Sequence, residues 1–147
     1  MACRRILWDD RKVIPAIAKL LDELNNAITT VQTPKQVYNL SFQAHFLFFS
    51  ILPFGYGNGR TSRLLMNYVQ QYHGLPLSVV YTEDRNAYVV AMEQTRADES
   101  LNPILEFMHG QLTKFMTQEI QRLSHYQNPT LKPPKKGKVG SALSLLF

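Results

Sequence analysis

Apolar residues recur along this chain at helical spacing, interrupted at a few well-marked points. Between residues 13 and 28, Val13, Ile14, Ile17, Leu20, Leu21, Leu24 and Ile28 fall three and four apart, with Asp22, Glu23, Asn25 and Asn26 mostly on the opposite side. That period predicts an amphipathic helix that stops at Thr29-Thr30. A second helix has a sharper start. Thr33 is a capping residue, and Pro34 follows at the first helical position, where its missing N–H costs nothing. Val37, Leu40, Ser41, Ala44, His45, Phe48, Phe49 and Leu52 are joined by Phe42, Phe46, Leu47 and Ile51, so the helix is apolar around most of its circumference. Such a helix belongs at the centre of a bundle. Pro53 ends it, because its ring clashes with a further turn.

The segment Phe54-Gly55-Tyr56-Gly57-Asn58-Gly59 cannot continue a helix. Its glycines suit unusual backbone angles or the close approach of a ligand. From about Asn58 a third helix is expected through Leu64, Leu65, Met66, Val69 and Tyr72, closing at Gly74. Residues 75–81, LPLSVVY, read as an extended link. Thr82 is placed to cap a fourth helix, with Glu83 and Asp84 in its first turn and Tyr88, Val89, Ala91 and Met92 inside. Asn102-Pro103 opens a fifth helix, with Leu105, Met108, Leu112, Phe115, Met116, Ile120 and Leu123 expected to face the core. Arg4 to Trp8 is short and fits a strand. No internal repeat is present, and the pattern predicts an all-α bundle.

Composition changes the picture at one place. The chain has 147 residues and a formal charge of +5. Residues 126–147 hold Lys132, Lys135, Lys136 and Lys138 and no acid, which leaves residues 1–125 at +1. The expected division is therefore a globular domain over 1–125 and a basic, Pro/Lys-rich tail over 126–147, read as disordered. A nearly neutral body argues against nucleic-acid binding. Cys3 is the single cysteine, so an internal disulfide is excluded. The N-terminus shows no apolar signal region, and the longest apolar run is too short for a bilayer. A soluble cytoplasmic protein without a membrane partner is expected.

The candidate chemistry lies at GYGNGRTSR. A helix N-terminus offers unpaired N–H groups and a partial positive charge, which together hold phosphate. Gly57, Asn58 and Gly59 can aim several N–H groups at one point, and Arg60 and Arg63, one turn apart, add forked donors. The alternative is a glycine turn flanked by solvated arginines. Elsewhere His73, His109 and His125 lack ligand spacing, so no metal site is expected. His45 reads as a buried, hydrogen-bonded side chain, and the phenylalanines at 42, 46, 48 and 49 as core.

Residues 52–63, LPFGYGNGRTSR, resemble the signature of the Fic (Fido) family, His-Pro-Phe-x-Asp/Glu-Gly-Asn-Gly-Arg-x-x-Arg. AHFLFFSILPF, RLLMNY, GLPLSVVYTEDRNAYVVAM and LNPILEFM are similar to the segments around it, so the resemblance covers roughly residues 4–125. It implies a Fic-type helical bundle, with Arg4–Asp10 as a remnant of the family's β-hairpin flap. The implied activity is transfer of AMP from ATP to a protein hydroxyl. In that scheme the glycine turn and first arginine hold phosphates and the second arginine meets the γ-phosphate. This carries nucleotide binding to Gly57, Asn58, Gly59, Arg60 and Arg63.

Two positions depart from the signature. Leu52 stands at the histidine that takes the target's proton, and Tyr56 at the acid that holds Mg²⁺. Losing a general base costs about 10²–10⁴ in rate, and a neutral phenol is a poor ligand for a hard cation. No competent catalytic residue is therefore expected, and Mg²⁺ is not favoured. The resulting expectation is a degenerate Fic domain that binds ATP or another nucleotide with little or no transfer to a protein target. Two alternatives stand beside it: an active nucleotidyl- or phosphotransferase with a base from elsewhere, and a non-enzymatic interaction module that uses the tail. The family's Ser/Thr-x-x-x-Glu-Gly/Asn inhibitory motif has only a near match, from Thr95 to Ser100, so no self-inhibiting helix is expected.

Overall fold

The computed structural model describes residues 10–127. Their regular structure is helical: α1 (Asp10–Ile28), α2 (Pro34–Ile51), α3 (Asn58–Tyr72), α4 (Arg85–Ala97) and α5 (Asn102–Gln127), with a 3-10 turn at Thr82–Asp84. Among the described residues this is the all-α bundle expected. The flap expected at Arg4–Asp10 lies outside the described residues except for Asp10, which begins α1. Cys3 and the tail from residue 128 also lie outside them, while α5 runs two residues past the boundary expected at 125.

α2 is central because it buries two faces. On one, Val37 and Ala44 pack with Leu24 and Ile28 of α1 and Val69 of α3. On the other, Tyr38, Phe42 and Phe46 pack with Met66, Met92, Ile104 and Met108. Phe42, Met66, Ile104 and Met108 are wholly shielded from water. Its start is a complete capping box. Thr33 Oγ1 accepts from the Gln36 N–H at 3.3 Å, and Gln36 Oε1 accepts from the Thr33 N–H at 3.1 Å.

The link between α3 and α4 is fastened by a buried amide. Gln70 Nε2 donates to Ser41 Oγ at 2.9 Å and Ser78 Oγ at 3.0 Å, and Gln70 Oε1 accepts from the Ser78 N–H at 2.7 Å. Tyr38 adds its hydroxyl to the Pro76 carbonyl at 3.0 Å. Gly74, just past α3, takes φ +66°, which serves the turn that its position predicted.

Several expected core positions face water. Ile14 and Leu21 are exposed, because α1 buries only the line Val13, Leu20, Leu24 and Ile28. Leu64 and Tyr72 of α3 and Val89 of α4 are exposed as well. Ile120 and Leu123 lie on the final turns of α5 and are also exposed; higher in that helix, the fully buried Ile104 replaces them in the core. Thr82 does not cap α4. It begins the 3-10 turn, and Lys114 of α5 holds that turn through Glu83 at 3.1 Å and Asp84 at 2.6 Å. Lys114 keeps the Asp84 carboxyl below its ordinary pKa, with help from the Gln111 amide.

Candidate functional site

The chain leaves α2 through an unusual residue. Leu52 is the C-cap and sits in the left-handed region at φ 52°, ψ 58°, its N–H still bonded to the Phe48 carbonyl. This turns the backbone out of the bundle ahead of Pro53. Asn58 then fixes the loop. Its Oδ1 accepts from the Phe54 N–H at 2.9 Å, and its Nδ2 donates to the Phe54 carbonyl at 2.6 Å. The side chain of Asn58 therefore shapes the turn, which leaves its backbone N–H as the part that can meet a ligand.

Gly57 caps α3 at φ +87° with no side-chain cap bond, so the N–H groups of the first turn carry no capping side chain. Both arginines fold back over the glycines. A Cβ on Gly57 would stand 3.7 Å from Arg60 Nη2, and one on Gly59 would stand 3.6 Å from Arg63 Nη1 and from the Phe49 ring. The first turn of α3 holds no acid. Two guanidiniums and a helix N-terminus thus converge on a surface that glycine keeps open, which is the arrangement of a phosphate cradle. All five residues expected at the site, Gly57, Asn58, Gly59, Arg60 and Arg63, are brought together.

Arg63 is half-buried, and burial lowers its pKa from the ordinary value. Tyr88 opposes that shift, and the neighbouring Arg60 charge adds to it. Two cations held this way gain from an anion that both can share.

Tyr56, at the acid position, is 84% exposed. Its ring lies under the Arg60 guanidinium, 4.9 Å from centroid to carbon. A divalent cation bound at this position would sit against Arg60 with a neutral phenol as its ligand, so the residues present do not fit Mg²⁺.

Beneath the glycine turn lies a contact between helices far apart along the chain. His45 is wholly buried, and its Nε2 shares a 2.9 Å hydrogen bond with the Tyr88 hydroxyl of α4. Its Nδ1 lies toward the Ser62 backbone without making a hydrogen bond. Burial lowers the His45 pKa to about 4 and raises that of Tyr88 to about 12. The histidine holds a proton too weakly, and the phenol too strongly, for the pair to serve as a base near neutrality. His45 is hydrogen-bonded core, and Leu52 has no replacement in it. The two residues are 43 positions apart, and no periodic signal links them.

Residues 6–70 match the Fic/DOC family. Over these residues, which are a little under half of its length, the chain is similar to that family. A stretch of 96 residues is 28% identical to a protein named "Protein adenylyltransferase fic-1" from Caenorhabditis briggsae, covering 65% of this chain and 18% of that protein. A stretch of 100 residues is 31% identical to "Protein adenylyltransferase Fic" from Nematostella vectensis, covering 65% of this chain and 23% of that protein. The matched region thus spans roughly a fifth of each of these relatives. The glycine turn at 57–59 falls inside the matched residues, as do Leu52 and Tyr56.

Proposed function

We propose that this Fic domain binds the phosphates of ATP or another nucleotide and transfers them little or not at all. The observation that carries the reading is the contrast within one turn. The anion-holding groups converge, with Arg60 and Arg63 folded over Gly57 and Gly59. The two positions for proton and metal hold Leu52 and a Tyr56 ring engaged by Arg60. Adenylyl transfer needs a group to take the proton of the attacking hydroxyl and charge to neutralise the departing pyrophosphate. The cradle supplies part of the second and none of the first.

In this reading the N–H groups of α3 and the Arg60 guanidinium hold the inner phosphates, and Arg63 meets the outer one. The cation count of the protein replaces the metal: two fixed guanidiniums face a polyphosphate with no carboxylate between them. Binding therefore depends on Arg60 and little on Mg²⁺.

The test is titration calorimetry with ATP beside label transfer from α-phosphate-labelled ATP in cell lysate. Arg60→Ala should weaken ATP binding at least about tenfold, the loss of a charge-assisted contact. The natural chain should label no protein, and the Leu52→His, Tyr56→Asp double variant should label protein. ATP binding indifferent to Arg60 would overturn the nucleotide-binding part, and labelling by the natural chain would overturn the loss of transfer.

A further inference from the structure

Arg60 is flanked from two sides. Gly57 is the N-cap of α3, so Tyr56 stands one place before the cap and Arg60 in the first turn after it. The arginine folds back over the loop, with its Nη2 3.7 Å from where a Cβ on Gly57 would lie. Its Cζ stands over the Tyr56 ring, 4.9 Å from the centroid. Glycine leaves the room, and the ring supplies a floor.

Core packing does not account for that ring. Tyr56 is 84% exposed, the most exposed large hydrophobic side chain among the described residues. Little of its surface is withdrawn from water, so little is gained from burial. What the ring offers is its face. An aromatic face attracts a cation through its quadrupole without engaging the N–H fork as an oxygen acceptor would. A carboxylate at the same place would occupy that fork. A guanidinium already oriented also gives up less rotamer freedom when a ligand binds.

We infer that Tyr56 is a positioning residue of the anion site, its ring holding the Arg60 guanidinium over Gly57 with the N–H fork open to a phosphate oxygen. This role rests on the phosphate-binding reading proposed above, and it narrows the ligand to a polyphosphate with no metal between it and Arg60. Position 56 is then a working part of the cradle. A cation over an exposed ring is worth about two- to fivefold in affinity, which sets the size of the effect.

Two measurements test it, one in the free chain and one with ligand. Protons above an aromatic face resonate upfield. The Arg60 Hδ signals of the natural chain should therefore lie upfield of those in Tyr56→Leu and return upfield in Tyr56→Phe, which keeps the ring. Circular dichroism should not distinguish the three chains, since the ring lies outside the core. Calorimetry in chelator buffer then compares inorganic tripolyphosphate with ATP. Tyr56→Leu should weaken both by about two- to fivefold, and Tyr56→Phe should recover most of that loss. In an Arg60→Ala background Tyr56→Leu should cost nothing further. Arg60 signals without the upfield shift overturn the inference, as does a Tyr56→Leu loss that persists without Arg60 or fails to appear with it. Those outcomes leave the nucleotide reading untouched. Tripolyphosphate bound with this Tyr56 dependence, beside ATP that does not bind, overturns the nucleotide reading and supports the role of Tyr56. A natural chain that binds neither overturns both.

Discussion

The Arg60 guanidinium lies 4.9 Å from the centre of the Tyr56 ring, so the side chain at the acid position engages a cradle cation directly. A carboxylate there would do the reverse of what the phenol does: it would neutralise Arg60 until a metal came between them. Tyr56→Asp should therefore make ATP binding metal-dependent. The natural chain should change affinity by less than about threefold when Mg²⁺ is chelated, and the variant by at least about tenfold. Calorimetry in paired Mg²⁺ and chelator buffers reads both numbers.

The two glycines of the turn should respond differently to the same change. Gly57 sits at φ +87°, where an L side chain costs about 1–2 kcal/mol. Gly59 lacks that angle, and its added Cβ would meet neighbours at ordinary contact distance, 3.6 Å. Gly57→Ala should lower stability by that cost, and Gly59→Ala should not lower it. Urea unfolding of the two variants makes the comparison. Equal losses would mean that the turn is not built as described.

His45 makes stability depend on acid. Its pKa is about 4 when folded and 6.5 when free, so below pH 6.5 the unfolded chain takes up a proton that the folded chain refuses. Above pH 6.5 both forms are neutral and the penalty vanishes. Stability should thus fall as pH drops through this window, by about 2 kcal/mol between pH 7.5 and pH 5. His109, also lowered by burial, adds to the trend with the same sign. Denaturant midpoints across that range should slope downward toward acid, and His45→Gln, which keeps an acceptor for Tyr88, should flatten most of the slope.

Gln70 is a buried amide with three partners on two other segments. Gln70→Leu keeps the volume and strands the Ser78 N–H and hydroxyl, while the Ser41 hydroxyl loses a donor but keeps its bond to the Tyr38 carbonyl. The expected loss is about 2–4 kcal/mol, since groups left unpaired in the core carry their full desolvation cost. Hydrogen exchange should locate the damage, with the Ser78 amide losing protection first.

Much of the fold was legible because α2 and its cap are governed by local rules. Thr33, Pro34 and Gln36 carry the start of α2, and a helix apolar on all sides had to be central. The placing of Arg60 and Arg63 beside the glycine turn was legible for a similar reason, since a glycine turn with arginines three apart needs only one helix to assemble. The errors share a cause. Periodicity shows that Leu64, Tyr72, Ile14 and Leu123 lie on an apolar stripe, but the width of a stripe does not reveal how much of it a neighbour covers. Contacts across the chain were silent for the same reason: His45 and Tyr88, or Lys114 and Asp84, meet only through the packing of different helices.

Leu52 holds a left-handed conformation that leucine adopts only at a cost of roughly 1–2 kcal/mol, where glycine or asparagine would be at ease. The residue cannot be the reason for the bend. α2 ending at Ile51, Pro53 and the Asn58 clamp on Phe54 impose it from either side. The path of the main chain is thus independent of the side chain that happens to stand at its corner, and the site behaves as a mount from which one part has been exchanged. A different side chain at position 52 would ride on the same corner, so an exchange there alters what the turn presents without altering how it is held.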